Sequence, residues 1–216
     1  MSGIKGKLVL TDPPYNTGMV KKEGATRLPH MFNDNYNDEE YHKLLKGSLT
    51  NYGEFLDKDT VLYIFLDWRR MHELIPIIKE KYSFSNLIVW DKVVHGLGSD
   101  YKYTYELIAV CKNGKPQLYT HHNKEYQDIW HIQREMGRNE SHATAKPISV
   151  LSLPIKHATK EGDIVLDFFG GSGSTLIACE QLNRKCFMME LEPHYCSVII
   201  ERWEKLTGKT AVKLGE

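Results

Sequence analysis

Residues 7–15 read Lys-Leu-Val-Leu-Thr-Asp-Pro-Pro-Tyr, an apolar run of β type that stops at two consecutive prolines. Each proline locks φ at about −65° and has no N–H to donate, so a strand through Leu10 cannot continue as a central ladder member beyond Asp12. The backbone there is stiff. A carboxylate (Asp12), the Pro13 carbonyl, the Pro14 ring and the aromatic face of Tyr15 are thereby held in one turn at the carboxyl end of a strand, which is where open α/β sheets bind ligands.

The chemistry that wants these groups is that of a poor amine nucleophile. The exocyclic amino group of a nucleobase has its lone pair delocalised into the ring. Two acceptors, the Asp12 carboxylate and the Pro13 carbonyl, can take its two N–H donors and draw the nitrogen toward sp³ geometry, so that charge developing in the transition state meets fixed acceptors. Tyr15 would stack on the planar base. Alone, the four residues are also ordinary turn chemistry, because Asp and Pro favour turns.

A second corner lies far along the chain. Residues 163–169 (Asp-Ile-Val-Leu-Asp-Phe-Phe) read as a strand running into Gly170-Gly171-Ser172-Gly173-Ser174-Thr175, with helical sequence at 176–182. Strand, glycine turn and helix together raise a glycine motif above noise. The glycines let backbone approach a ligand closely, and the helix N-terminus offers N–H groups. A further apolar strand, 186–191, ends in Glu190, the position from which nucleoside-binding α/β folds hydrogen-bond a ribose diol.

Between these corners the pattern is strand alternating with helix. Asp38 is a fair N-cap for a helix carrying Leu44, Leu45, Leu49, Tyr52, Phe55 and Leu56 at helical spacing. Residues 61–66 form a continuous apolar run, the mark of a strand buried on both faces. A helix over 67–81, bent or shortened by Pro76, strands at 86–90 and 105–111, and a short strand at 128–130 follow. Lys146-Pro147 opens a helix in which Pro154 predicts a bend or an early end. A helix at 194–206 stops at Gly208, and 210–214 reads as a last short strand. Residues 16–34 are polar and aperiodic, a loop placed to close over the tip, and residues 115–145 are the one region spare enough to serve as a recognition insert.

Length and charge narrow the class. At 216 residues the chain makes one domain with a substantial core. Lys plus Arg and Asp plus Glu are 28 each, so the net charge is zero, which argues against clinging to nucleic acid through bulk charge. A nucleic-acid partner then needs a local basic strip, for which Lys21, Lys22, Arg27, Lys92, Lys102, Arg134 and Arg138 are the candidates. Residues 95–103 interleave aromatic and basic side chains in a way that suits stacking and phosphate contact. Trp68, Trp130 and Trp203 read as packing residues. No metal is expected, because the four cysteines lack Cys-x-x-Cys spacing and His95, His121, His122 and His142 have no ligand partners at metal spacing. No eighteen-residue apolar run and no signal-type segment occur, so the reading is a soluble, cytoplasmic protein with no membrane partner.

With both corners in view, the chain resembles the S-adenosylmethionine-dependent amino-methyltransferases of DNA, in the circularly permuted arrangement called the β class. Three stretches carry the resemblance, in order: Asp12-Pro13-Pro14-Tyr15, His142-Ala143-Thr144-Ala145-Lys146-Pro147, and Asp167-Phe168-Phe169-Gly170-Gly171-Ser172-Gly173. It is similar, more narrowly, to methylases common on phages and other mobile elements in 170–208 and 100–106. Phe168 and Ala143 depart from the family, which commonly has proline at both places.

The resemblance implies a Rossmann-like, seven-stranded, mostly parallel α/β sheet with the strands before Asp12 and Gly170 side by side at its centre. It implies S-adenosylmethionine as cofactor and DNA as partner in a bacterial or phage-infected cell. Asp12, Pro13, Pro14 and Tyr15 would be catalytic, and Thr144, Lys146, Asp167, Phe168, Phe169, Gly170, Gly171, Gly173, Ser174, Thr175 and Glu190 would hold the cofactor. Transfer to a flipped base would be direct and in line. Aspartate at position 12 favours adenine N6 over cytosine N4, where serine is commoner in the family. The alternatives are cytosine-N4 transfer and a non-catalytic nucleic-acid-binding subunit of the same fold. A second copy of the chain is a candidate source of recognition.

Overall fold

The structure, a computed structural model, describes residues 3–16, 36–94, 100–119, 126–134 and 145–215. The chain folds in the order β1 (Gly6–Thr11), α1 (Asp38–Phe55), β2 (Leu56–Leu66), α2 (Met71–Lys79), β3 (Ser83–Asp91), β4 (Tyr105–Asn113), β5 (Ile129–His131), α3 (Ile148–Ala158), β6 (Ile164–Asp167), α4 (Ser174–Gln181), β7 (Lys185–Met188) and α5 (Pro193–Thr207). One seven-stranded sheet results, ordered β5-β3-β4-β2-β1-β6-β7. β4 runs antiparallel to both neighbours, β2 and β3, and the other four pairings are parallel.

Two-sided burial follows from the apolar runs. On β1, Leu8 and Leu10 face one core while Val9 faces the other, and on β2 Val61, Tyr63 and Phe65 alternate with Leu62, Ile64 and Leu66. Strands that read as continuous hydrophobic runs need helices on both faces. Here α3 and α4 cover one face with Val150, Leu151, Ile155 and Ala178. The opposite face is covered by α1 and α2 with Tyr41, Leu45, Leu49, Leu74 and Ile78.

β1 pairs with β6 directly, Leu8 opposite Val165 and Val9 opposite Leu166. From β1 the chain passes to β2 on one side, while β6 and β7 fill the other, so the order reverses between β1 and β6. The two strands lie fifth and sixth of seven, adjacent as expected but toward one side of the sheet. A crevice opens beyond strand ends at such a reversal.

Several boundaries differ from the sequence reading. Asn37, not Asp38, caps α1, and it forms a capping box with Glu40. α2 starts at Met71 because the Asp67 carboxylate accepts from the backbone and guanidinium of Arg69, which holds the preceding residues in a turn. Pro76 lies within α2 without ending it, and α3 continues past Pro154 to Ala158. Residues 210–214 form no strand, and Val212 and Leu214 stay exposed.

Candidate active site

The proline turn is pinned from three sides. Tyr41 of α1 donates its hydroxyl to the Pro14 carbonyl at 3.0 Å. Asn16, in left-handed backbone, trades two hydrogen bonds with the backbone of Tyr36. Arg70 Nε donates to the Asn16 carbonyl at 3.2 Å. A turn fixed in this way presents Asp12 at constant geometry.

Around Asp12 lies a buried charge cluster. Lys146 Nζ sits 2.5 Å from Asp12 Oδ2 and 3.2 Å from Glu106 Oε2. The Tyr15 hydroxyl donates to Glu106 Oε2 at 3.3 Å, and Lys92 Nζ lies 3.7 Å from Glu106 Oε1. The Lys146 ammonium also stands over the rings of Tyr15 and Phe65. Two cations thus offset two carboxylates. Burial alone would lower the Lys146 pKa, but Asp12 and Glu106 outweigh it and hold the ammonium above its ordinary value. Glu106 is held below the usual carboxylate range because Lys146 and Lys92 overcome its burial, and burial pushes the Tyr15 phenol well up.

One atom in this cluster has no hydrogen-bond partner among the described residues. Asp12 Oδ1 is buried and accepts no hydrogen bond from the described residues, while Oδ2 is engaged by Lys146. An unsatisfied buried acceptor is costly. It is kept where a ligand completes it.

The second corner adjoins the first. Thr11 Oγ1, at the end of β1, donates to Asp167 Oδ1 at the end of β6 across 3.2 Å. Burial raises the Asp167 carboxyl to about 7. After Phe169 the backbone turns through Gly171 at φ 51° and Gly173 at φ 80°, both left-handed. Glu190 organises this turn, accepting from Gly171 N at 2.6 Å and from Leu191 and Glu192 N at 2.9 and 2.8 Å. Arg202 of α5 holds the Ser172 carbonyl.

A single cavity of about 1200 Å³ joins the two corners, lined by Asp12, Pro13, Pro14, Tyr15 and Lys146 at one end and by Asp167 through Ser172, Ser174, Thr175 and Glu190 at the other. That exceeds the volume of an ordinary small-ligand site, about 300–1,000 Å³. The residues present fit an adenosyl cofactor. A Cβ added at Gly171 would meet only the Phe169 carbonyl, 4.0 Å away, so its missing side chain leaves cavity space at backbone level. Gly173 lacks that freedom, since a Cβ there would lie 2.9 Å from Ile199 Cγ1; it packs α4 against α5 rather than lining the cavity.

Other expected residues fall differently. Lys92, read as part of a basic strip, is turned inward with its side chain 9% exposed, because Glu106 draws it there. Lys146, expected among the cofactor residues, lines the cavity and directs its charge to Asp12. Lys102 and Arg134 line the cavity, whereas Lys21, Lys22, Arg27, Arg138, Thr144, the loop at 17–34 and His95, His121, His122 and His142 lie outside the described residues. Trp68 is half exposed on the cavity rather than packed, while Trp130 is core. Phe168 stacks on Tyr52 with ring centroids 4.1 Å apart, which gives the departure from proline a packing role. Glu106 was not singled out as a site residue. Its partners Tyr15 and Lys146 are 91 and 40 positions away, and nothing local marks it.

Comparison with known proteins agrees with this geometry. Residues 7–201 match the DNA methylase family of N6 and N4 amino-methyltransferases. The type II methyltransferase M.HpaI of Haemophilus parainfluenzae is 26% identical over 219 residues, covering 90% of this chain and 67% of its own. Among solved structures, the M1.HpyAVI–SAM complex superposes with a TM-score of 0.69 at 21% identity, covering 92% of this chain and 89% of that one. The cytosine-N4-specific PvuII DNA methyltransferase superposes with 0.73 at 16% identity, covering 92% and 79%. A glycine turn and a proline-locked carboxylate sharing one cavity, in a chain matched across nearly its whole length, place this protein in the family of S-adenosylmethionine-dependent DNA N6/N4 amino-methyltransferases.

Proposed function

We propose that the protein methylates the N6 amino group of adenine in DNA, with the target base turned out of the helix into the cavity beside Asp12. The observation that carries this reading is the Asp12 carboxylate on the cavity wall, one of whose oxygens, the buried Oδ1, has no hydrogen-bond partner among the described residues. A base inside a duplex cannot reach such an atom, so extrusion is required.

Gly170, Gly171 and the start of α4 at Ser174 and Thr175 would hold S-adenosylmethionine, which when bound supplies an electrophilic methyl group on a positively charged sulfur. Lys146 engages Asp12 Oδ2, which leaves Oδ1 to accept from the amine. The two N–H groups of the amine donate to Oδ1 and to the Pro13 carbonyl, which localises the lone pair on nitrogen. As the amine nitrogen takes the methyl group, the methyl–sulfur bond would break with its electron pair staying on the departing neutral thioether, and the N–H proton hydrogen-bonded to Asp12 would pass from nitrogen to that carboxylate. Fixed acceptors of this kind are worth roughly 3–4 kcal/mol each in comparable sites. Aspartate rather than serine at position 12 supports adenine over cytosine.

Incubation with methyl-labelled cofactor and mixed-sequence DNA, followed by digestion to nucleosides, tests the reading. Label is expected in N6-methyl-2′-deoxyadenosine. Label in N4-methyl-2′-deoxycytidine would replace the target, and none in any base would remove the reading.

A further inference from the structure

Among the described residues, the exposed aromatic rings are Trp68 (49%), Tyr101 (86%), Tyr103 (39%) and Tyr105 (43%), and all four line the cavity that Asp12 ends. They come from two separate segments, the turn after β2 and the approach to β4, so sequence proximity alone does not gather them. The other large hydrophobics that reach solvent are aliphatic. Exposed aromatic area is costly in water, and a set collected at one mouth marks a binding surface.

Charge says what kind. The Arg69 guanidinium lies 5.5 Å from the centroid of the Tyr103 ring. Lys102 and Arg134 line the same cavity, in a chain whose overall net charge is zero. Flat π faces interleaved with cations in an otherwise neutral protein complement bases on a phosphodiester strand.

A duplex cannot fill such a surface. Each of its bases is covered on both faces by neighbours, and one extruded nucleotide exposes only its own two faces, which Tyr15 and the cavity take up. Four further rings find partners only if nucleotides flanking the target are unstacked as well. Resting on the reading of the site given above, we propose that these four rings form a stacking ledge for unpaired nucleotides next to the target. The preferred substrate is then single-stranded or locally opened DNA rather than intact duplex.

Fluorescence anisotropy with a labelled single-stranded 16-mer of mixed sequence, and with the same strand annealed to its complement, tests this with no methyl transfer required. The single strand is expected to bind at least tenfold more tightly. Tyr101→Ala and Trp68→Ala are each expected to weaken it about tenfold, with cofactor affinity unchanged by calorimetry, and the strand should quench Trp68 fluorescence. Equal or tighter duplex binding, or ring variants that bind like wild type, would overturn the ledge. So would variants that alter sedimentation of the free protein, which would make the rings a contact between two copies. Strand binding through the rings without any methylated adenine would retain the ledge and instead remove the adenine assignment.

Discussion

At the scale of single residues, Asp12 owes its geometry to neighbours the chain brings from far away. Its turn was legible in the sequence because proline, aspartate and tyrosine are adjacent and their constraints are local. The tie of Lys146 to Asp12 and Glu106 has no local signature, because a buried ion cluster is defined by pairs 134 and 40 positions apart. Asp12→Ala is expected to reduce kcat by about 10²–10³-fold, the cost of one fixed transition-state partner, with cofactor affinity within about threefold by calorimetry. Lys146→Met leaves Asp12 and Glu106 facing each other without their shared cation. Breaking such a pair costs on the order of 3–5 kcal/mol, measurable by urea denaturation at neutral pH. Glu106 is normally held low, so wild-type stability from this group is present at neutral pH and is lost as pH falls. Without Lys146 only Lys92 and the Tyr15 hydroxyl oppose its burial, so protonation costs the variant less. The deficit of the variant should therefore narrow as pH falls below neutrality.

At the scale of elements, the seam between β1 and β6 is the joint that brings the two corners together. Strands and helices were legible in kind because each carries its own period, apolar runs for buried strands and three-to-four spacing for α1 and α3. Ends were less so: a proline inside α3 is tolerated when the tertiary core holds both halves, and residues 210–214 have β propensity yet stay outside the sheet. Asp167 bears on the seam directly. Its folded value, raised by burial to about 7 against an ordinary 3.8, means that it is stabilising when protonated and loses this as pH rises between those values. Asp167→Asn keeps the Oδ1 that accepts from Thr11 and Phe169 but cannot ionise. Relative to wild type, the variant should gain stability as pH rises from about 4 to about 8, by up to about 4 kcal/mol. Gly173→Ala tests the other element junction. A left-handed Cβ costs about 1–2 kcal/mol and this one also meets Ile199, so a lower Tm and roughly tenfold weaker cofactor binding are expected.

At the scale of the whole molecule, the sheet order turns two motifs 158 residues apart, Asp12 and Gly170, into walls of one cavity. That adjacency was implied by family resemblance rather than by any periodicity, because no local pattern states which strands pair. The aromatic mouth was half legible: the tyrosine-rich segment stands out, but Trp68 reads as a packing residue, and only the fold puts it on the same cavity as Tyr103. The central claim is that the cavity holds cofactor and target amine at once, within reach of each other. A crystal structure with S-adenosylhomocysteine measures this most directly. Reacting atoms about 3–3.5 Å apart and a hydrogen bond of about 3 Å put the sulfur about 5–8 Å from Asp12 Oδ1. An adenosyl group bound elsewhere, or a sulfur more than about 10 Å from that oxygen, would contradict it.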